Sequence, residues 1–245
     1  MKIRAIGTGS AFCRHPLVTS SFLIQSEGSN IVIGCGPNIP AKLETINLHM
    51  SQIDMWIPLS TFPDQTGGLW EIACAKLDKK PYLVGLGALL TKIEETFPCN
   101  DHLSSSFDTK ASTKVSFSEE HLSETIRFIP NYGMGYSYSV LFEESEIFIS
   151  GPTAVNDEFL HRWGMPAQII LHSKRKELSN LPVYLQKKIW IYDYAAPDLE
   201  MEDPLPMLYL PQGTCVFDSE RKEKHLEKER FIRENAKRQI GNAQS

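Results

Sequence analysis

The chain has 245 residues, of which 42% are hydrophobic and 22% are charged, and its formal net charge is −5. This composition is typical of a globular protein with a sizeable core, and the acidic balance argues against a nucleic-acid backbone as a partner. No apolar run reaches the roughly 20 residues that a membrane-spanning helix needs, and the first residues lack a signal-peptide pattern. We therefore expect a cytoplasmic protein without membrane contact.

The first half of the chain alternates strand and helix patterns. Gly28 and Asn30 tolerate the positive φ of a turn, so the two apolar runs around them predict a hairpin. Pro40 suits the first turn of a helix, where its missing N–H costs nothing. The pattern predicts strands over 2–6, 20–25 and 30–33, helices over 40–47, 68–77 and 86–97, and a loop with one irregular strand over 99–120.

The second half repeats this mixture of strands and helices. It predicts strands over 125–129, 138–142, 146–150, 168–171 and 189–192, helices over 156–163 and 178–187, and a hairpin over 207–218. Two strand-rich halves with helices fit a sandwich of sheets covered by helices. We expect one domain over 1–218 and a charged helical tail over 219–245, with Ser219 as its N-cap.

The cysteines are five in number and form no C-x-x-C pair, so we expect reduced and mostly buried thiols. They are Cys13, Cys35, Cys74, Cys99 and Cys215.

One loop resembles a known metal-binding sequence. Residues 59–69 read L-S-T-F-P-D-Q-T-G-G-L, and the metal-binding loop of the metallo-β-lactamase superfamily reads T-H-x-H-x-D-H-x-G-G-L. Ser60, Phe62 and Gln65 stand where that family has histidine, whereas Asp64 and the two glycines match.

Other blocks resemble the ribonuclease Z-like and phosphodiesterase-like branch of the same superfamily. They are residues 1–12, 19–24, 30–37, 146–153 and 189–194. Three of these blocks depart from the family at ligand positions, since Gly34, Pro152 and Asp193 stand where the family has Asp, Asp and His. The last family His aligns near Tyr132. The resemblance implies an α/β fold, a metallo-β-lactamase-like αββα sandwich, with an added C-terminal charged helix.

The family's metal chemistry needs imidazole and carboxylate ligands around two cations. Phe62 has no donor atom and is expected to place its ring in the first metal pocket, and Pro152 cannot bridge metals. Only Asp64 and Asp193 remain as carboxylates. We therefore expect no metal or other cofactor, a degenerate metal site, and a non-catalytic pseudoenzyme that acts as a binding or scaffolding subunit.

Two alternatives stay open. The first is a hydrolase of a phosphoester or related small substrate, metal-independent or with one weakly bound cation, whose acid–base groups are Asp64, Asp193, Tyr132 and His172. His172 is the one histidine singled out, because it ends an apolar strand at the expected cleft. The second alternative is an inactive subunit of an RNA-processing complex.

An aromatic cluster and the tail suggest binding partners. Tyr132, Tyr136, Tyr138, Phe62 and Tyr194 either form a pocket for a planar or sugar-like ligand or fill the space of the absent metals and histidines. The simpler expectation is that they fill that space. The apolar side of the 219–240 helix predicts docking on a protein partner or on a second copy. Nucleic acid is not an expected partner.

Overall fold

The computed structural model describes residues 1–9, 18–26, 28–97, 104–118, 123–131, 136–151, 157–164, 166–173, 181–192, 208–209, 212–213 and 215–218. Within these residues, fourteen strands form two seven-stranded sheets, and helices accompany both. The expected α/β sandwich is confirmed.

The first sheet has the strand order β14-β1-β2-β3-β4-β5-β6. It is antiparallel from β14 to β3 and parallel from β3 to β6. The strands are β1 (Lys2–Gly7), β2 (Ser21–Ser26), β3 (Ser29–Ile33), β4 (Met55–Ile57), β5 (Tyr82–Gly85), β6 (Asp108–Ala111) and β14 (Cys215–Asp218).

The second sheet has the order β13-β12-β11-β10-β9-β8-β7. It is antiparallel from β7 to β10 and parallel from β10 to β13. The strands are β7 (Lys114–Ser118), β8 (Ser123–Pro130), β9 (Tyr138–Phe142), β10 (Ile147–Ile149), β11 (Ile169–Ser173), β12 (Ile189–Tyr192) and β13 (Leu208–Tyr209).

The main core joins apolar residues of both sheets, and the ring of Phe22 on β2 meets that of Tyr192 on β12 edge to face at 5.3 Å. A smaller cluster around Phe148 and Phe159 lies between the second sheet and a helix. The helices are α1 (Ile39–Glu44), α2 (Pro63–Cys74), α3 (Gly87–Thr96), α4 (Asp157–Gly164) and α5 (Val183–Gln186). Among the described residues, none of the helices has the length and apolarity to cross a membrane.

The hairpin predicted over 207–218 is wrong. β13 pairs with β12 in the second sheet, whereas β14 pairs with β1 in the first. Between them the chain changes sheets, and Gly213 N–H donates to the carbonyl of Ala5 at 2.7 Å. Two short strands around a glycine turn have the local pattern of a hairpin, but each strand here completes the edge of a different sheet.

Three further element predictions are corrected. Residues 104–118 contain the two strands β6 and β7 instead of one irregular strand, and β6 gave no alternation signal because all its residues are exposed. Strand β5 was not predicted. Within the described residues, the helix predicted over 178–187 is the single turn α5. The tail from residue 219 lies outside the described residues, so its helix stays a prediction.

A carboxyl pair, of which Glu124 is buried and Glu144 is exposed, closes the turn between β9 and β10. Oε1 of Glu124 accepts the N–H groups of Thr125 and Glu144 at 3.1 Å, and Oε2 accepts that of Ser145 at 3.1 Å. Burial raises the pKa of Glu124 to about 7, and the neighbouring carboxyl of Glu144 adds to the rise. Burial acts to raise the pKa of Glu144, but hydrogen bonds from Glu124 and Thr125 outweigh it and hold this pKa below the ordinary value. The pair therefore shares a proton near neutral pH.

We predict that this pair makes stability fall as the pH rises. Folded Glu124 keeps its proton up to about pH 7, whereas the unfolded side chain loses it near 4.5. Its stabilisation is complete below pH 4.5 and is lost as the pH rises through 7, by roughly 1–3 kcal/mol. Denaturant unfolding between pH 5 and 8 measures this dependence. Glu124→Gln should flatten it, and the exposed-site control Glu44→Gln should keep it; an equally steep dependence in Glu124→Gln would contradict the assignment.

Candidate functional site

The strand directions place the chain segments that connect the strands of both sheets at one edge of the sandwich. The first sheet contributes the ends of β1, β3 and β4 and the start of β2, and the second contributes the ends of β8, β10, β11 and β12 and the start of β9. Ser60 and Ser137 form an antiparallel bridge between the two sheets, and Tyr138 N–H donates to the carbonyl of Leu59 at 2.9 Å. We call this edge, lined by 34–37, 59–65, Asn131, Ser137 and Gly151, the cleft.

Glycines let the loop after β3 lie directly on the first turns of α2. Cys35 N–H donates to Gln65 O at 2.9 Å, and Gly68 N–H donates to Cys35 O at 2.8 Å. A Cβ on Gly36 would lie 2.0 Å from Thr19 Oγ1 and 2.2 Å from the carbonyl of Asp64. The contact leaves no room for a side chain at this position.

Helix α2 begins at Pro63, five residues before the predicted start at Gly68. Proline at the first helical position and an acidic residue in the first turn favour a helix start, and here they outweigh the poor helix propensity of glycine. Gly68 is needed for a different reason, since a Cβ there would lie 2.5 Å from Gly36 O. The glycines are therefore packing residues inside the helix and do not open it.

Phe62 does not occupy a buried pocket, so that expectation is wrong. Its side chain is 39% exposed. The residue before a proline is held extended, and Phe62 has φ −67° and ψ 145°. Its N–H donates to Ser60 Oγ at 3.2 Å, which fixes the backbone at the cleft mouth. Ser60 itself is buried.

Asp64 is buried in the first turn of α2. Burial raises the pKa of its carboxyl, while hydrogen bonds from its own N–H and from the side chain of Gln65 act the other way. A carboxylate at this position also interacts favourably with the helix dipole. Asp64 thus stabilises the helix start and offers a carboxyl of raised basicity to the cleft.

Gln65 and Gly34 fit one another across the cleft. The amide nitrogen of Gln65 donates to Ser20 O at 3.5 Å, and its Oε1 has no hydrogen-bond partner among the described residues. A Cβ on Gly34 would lie 3.0 Å from that oxygen and 2.6 Å from Ser20 O, and Gly34 has φ +76°. Glycine at 34 thus leaves room for the longer side chain at 65.

The second sheet adds a buried network of neutral polar groups that the sequence did not reveal. Ser139 Oγ donates to Asn131 Oδ1 at 2.8 Å and accepts Gly151 N–H at 2.9 Å. Asn131 Nδ2 donates to Ser137 Oγ at 3.3 Å. The one sequence signal for this network is that its residues stand at or near the ends of predicted strands.

The other predicted site residues are described in part or not at all. Tyr132, Pro152, Asp193 and Tyr194 lie outside the described residues, although their chain neighbours Asn131, Gly151 and Tyr192 lie at the cleft edge. His172 is one residue from the end of β11, and its side chain lies outside the description.

The aromatic cluster divides into core and surface residues. Tyr138 is fully buried and packs against Phe128 with ring centroids 5.1 Å apart. Burial raises the pKa of Tyr138 far above its ordinary value, so its hydroxyl stays protonated. Tyr136 is 47% exposed. Tyr138 is therefore a core residue, whereas Tyr136 and Phe62 are partly exposed to solvent, and the filling of a metal space by this cluster stays a prediction.

Comparison with known proteins identifies the family. The family model described as Anti-Pycsar protein Apyc1 matches residues 1–207. The chain belongs to the Anti-Pycsar protein Apyc1 family. It is 27% identical over 219 residues to the Anti-Pycsar protein Apyc1 of Paenibacillus harenae, covering 79% of this chain and 90% of the relative. The Saccharibacillus brassicae relative of the same name is 24% identical over 220 residues, covering 80% of this chain and 90% of the relative.

Solved structures show the same fold. The metallo-β-lactamase fold protein YhfI of Bacillus subtilis has a TM-score of 0.65 at 13% identity, covering 88% of this chain and 99% of its own. A diphosphatase of the PhnP family has a TM-score of 0.64 at 12% identity, covering 89% of this chain and 97% of its own. The fold is therefore the metallo-β-lactamase fold, as the resemblance implied.

The family assignment corrects the expected function. An Apyc1 chain in a hydrolase fold indicates an enzyme, so the expectation of a non-catalytic pseudoenzyme with a degenerate site is wrong. The expectation of an inactive RNA-processing subunit falls with it. The pseudoenzyme prediction was wrong because it treated the absence of the family's histidine ligands as the absence of activity.

The dinuclear metal centre implied by the fold does not fit the residues described at the cleft. Ser60 and Gln65 offer neutral oxygens, Phe62 offers none, and Asp64 is the single carboxylate among the four. In the described part of the chain, no three His, Cys, Asp or Glu side chains form a group that could hold a metal ion. The described side chains of the cleft therefore do not form the dinuclear metal site of the fold family.

We predict that the purified chain binds well below one zinc or manganese ion per molecule. Elemental analysis after metal loading and desalting measures the stoichiometry. The triple variant Ser60→His/Phe62→His/Gln65→His restores imidazole ligands and should gain zinc binding under the same treatment. Binding of about one transition-metal ion per unmodified chain would contradict this prediction.

We also predict that Gly36→Ala destabilises the protein by about 3 kcal/mol, because its Cβ would overlap backbone and side-chain atoms on both sides. Thermal unfolding measures this loss. Gly87→Ala is the matched control, since the nearest atom to its Cβ lies 3.7 Å away, and it should change stability by less than about 0.5 kcal/mol. An equal loss of stability in the two variants would show that a Cβ fits at position 36 and would contradict the prediction.

Proposed function

We propose that this chain hydrolyses the phosphodiester bond of a cyclic nucleotide, in the anti-Pycsar role for which its relatives are named. The family match over residues 1–207 carries the proposal, because it includes every segment that lines the cleft and all strands of both sheets except β13 and β14. The fold neighbour described above as a diphosphatase is consistent with phosphorus chemistry as the reaction class.

The proposed reaction adds one water molecule across a phosphodiester. The water oxygen bonds to phosphorus, one ester P–O bond breaks, and the released ribose oxygen takes a proton. The product is a nucleoside monophosphate. Such a step needs a group that removes a proton from water and a group that protonates the leaving oxygen.

Asp64 is the described residue that suits proton removal. Its carboxyl lies at the cleft and its pKa is raised by burial, which makes the carboxylate a stronger base than an exposed one. The buried polar groups of Asn131, Ser137 and Ser139 bind one another and hold the second-sheet side of the cleft in place. Asp193, Tyr132 and His172 remain candidates for the second acid–base group.

We also place the protein in the cytoplasm. The described cysteines Cys35, Cys74 and Cys215 are free thiols, which favours a reducing compartment. A small ligand in the cleft is part of this proposal. Docking of a protein partner or a second copy through 219–240 stays a prediction from the sequence.

The test is turnover of purified chain with a panel of 3′,5′-cyclic nucleotides, with nucleoside monophosphate measured by mass spectrometry. Asp64→Asn should lower the rate about 100-fold or more, because a neutral amide cannot accept the proton. Wild-type activity should fall as the pH drops through the raised pKa of Asp64.

The matched control is Asp108→Asn, which removes an exposed carboxylate on β6 and should leave the rate unchanged. Circular dichroism and thermal unfolding confirm that each variant is folded. Binding of cyclic nucleotides without any monophosphate product would overturn the proposed hydrolysis. An unchanged rate in folded Asp64→Asn would remove Asp64 from the mechanism.

A further inference from the structure

The second sheet carries a small pocket that contains none of the residues lining the cleft. Its volume is about 200 Å³, and its walls come from the start of β7, from the second half of β8 and from Trp163 of α4. Pockets for drug-sized ligands are larger, at roughly 300–1,000 Å³. This pocket therefore suits a smaller molecule with a single ring.

Strand alternation places the pocket on the face of the sheet that is turned away from the first sheet. Phe128 belongs to the main core between the sheets. Because neighbouring side chains of a strand point to opposite faces, Arg127 and Ile129 point outward. Ile129 belongs to the smaller cluster beneath α4, and Trp163 packs against that cluster. Ile129, Pro130 and Trp163 give the pocket one apolar side, which we call the apolar wall.

Two basic residues that line the pocket share one carboxylate. Lys114 and Arg127 stand directly opposite each other on the antiparallel strands β7 and β8, and both side chains are partly exposed. Arg127 contacts Oε1 of Glu143 through Nε and Nη2. Lys114 Nζ lies 3.7 Å from the same oxygen, which is too long for a hydrogen bond. The guanidinium carbon of Arg162 lies 5.2 Å from the centre of the Trp163 ring and adds a third positive charge beside the pocket.

The positive charge at this pocket is only partly neutralised. Among the described residues, the ammonium of Lys114 has no hydrogen-bond partner, and the contacts of Arg127 do not use its Nη1. Within the same part of the chain, three basic groups are set against the single carboxylate of Glu143. A local excess of positive charge with unused N–H donors favours the binding of an anion.

We infer that this pocket binds a small organic anion, namely a single ring that carries a carboxylate or a phosphate group. The anionic group accepts hydrogen bonds from the ammonium of Lys114 and the guanidinium of Arg127, whose planar donors match the oxygens of both groups. The ring covers the apolar wall, which an inorganic anion would leave in contact with water. This site goes beyond the proposed hydrolysis and does not depend on it.

The test is calorimetric titration of the full chain with benzoate, phenyl phosphate, benzyl alcohol and inorganic phosphate. Benzyl alcohol has the ring without the charge, and inorganic phosphate has the charge without the ring. At least one of the two organic anions should bind about 10-fold or more tightly than both of these probes. A preference for benzoate identifies a carboxylate ligand, and a preference for phenyl phosphate identifies a phosphate ligand. The indole N–H signal of Trp163 in the NMR spectrum, assigned from Trp163→Phe, should shift during the titration.

Variants with opposite expected effects locate the binding site. Lys114→Gln and Arg127→Gln should each raise Kd about 5- to 30-fold, because each removes a charged donor. Glu143→Gln keeps an oxygen for Arg127 but removes the competing negative charge, so it should lower Kd. Lys79→Gln is the matched control, because it removes an exposed, ion-paired lysine beside the first sheet and should leave Kd unchanged. Asp64→Asn, in the cleft, should also leave it unchanged.

Four results would overturn the inference. They are no binding of either organic anion, equally tight binding of benzyl alcohol or inorganic phosphate, unchanged binding in the folded Lys114→Gln and Arg127→Gln variants, and weaker binding in folded Glu143→Gln. Thermal unfolding confirms that each variant is folded.

Discussion

The close approach of residues 34–37 to the first turns of α2 is the constraint on which the cleft depends. Two backbone hydrogen bonds, from Cys35 to Gln65 and from Gly68 to Cys35, fix the loop on the helix. A side chain at Gly36 or Gly68 would overlap carbonyl oxygens of the opposing segment. Because the helix start is fixed in this way, the positions of Asp64 and Gln65 in the cleft are fixed too.

The two sheets meet next to this contact. Ser60, in the short loop between β4 and the start of α2 at Pro63, bridges to Ser137 of the second sheet. Across that bridge, neutral polar groups of the second sheet face the segment that carries Asp64. A hydrolase cleft that lacks the family's histidines therefore still has a defined shape, held by backbone contacts and by Asn131, Ser137 and Ser139.

Local pattern predicted most strands, because alternating or continuous apolar runs are strong signals over four to six residues. It failed where a strand pairs with a partner that is distant in the sequence. The 207–218 segment has the pattern of a hairpin, yet its strands join different sheets. The pattern predicts the start of this helix at Gly68, whereas α2 begins at Pro63 and its Gly67 and Gly68 make room for the loop at 35–37.

The sequence by itself determined the fold family, because glycine turns and strand patterns are local and ordered along the chain. It also showed that Asp64 is retained while the histidines are not. Only the tertiary structure decided that Phe62 is partly exposed, that Tyr138 is a core residue and that Ser60 of one sheet bridges to Ser137 of the other. Those outcomes depend on how the two sheets pack. The packing brings together residues that are far apart in the chain, so the local sequence pattern around each residue does not predict it.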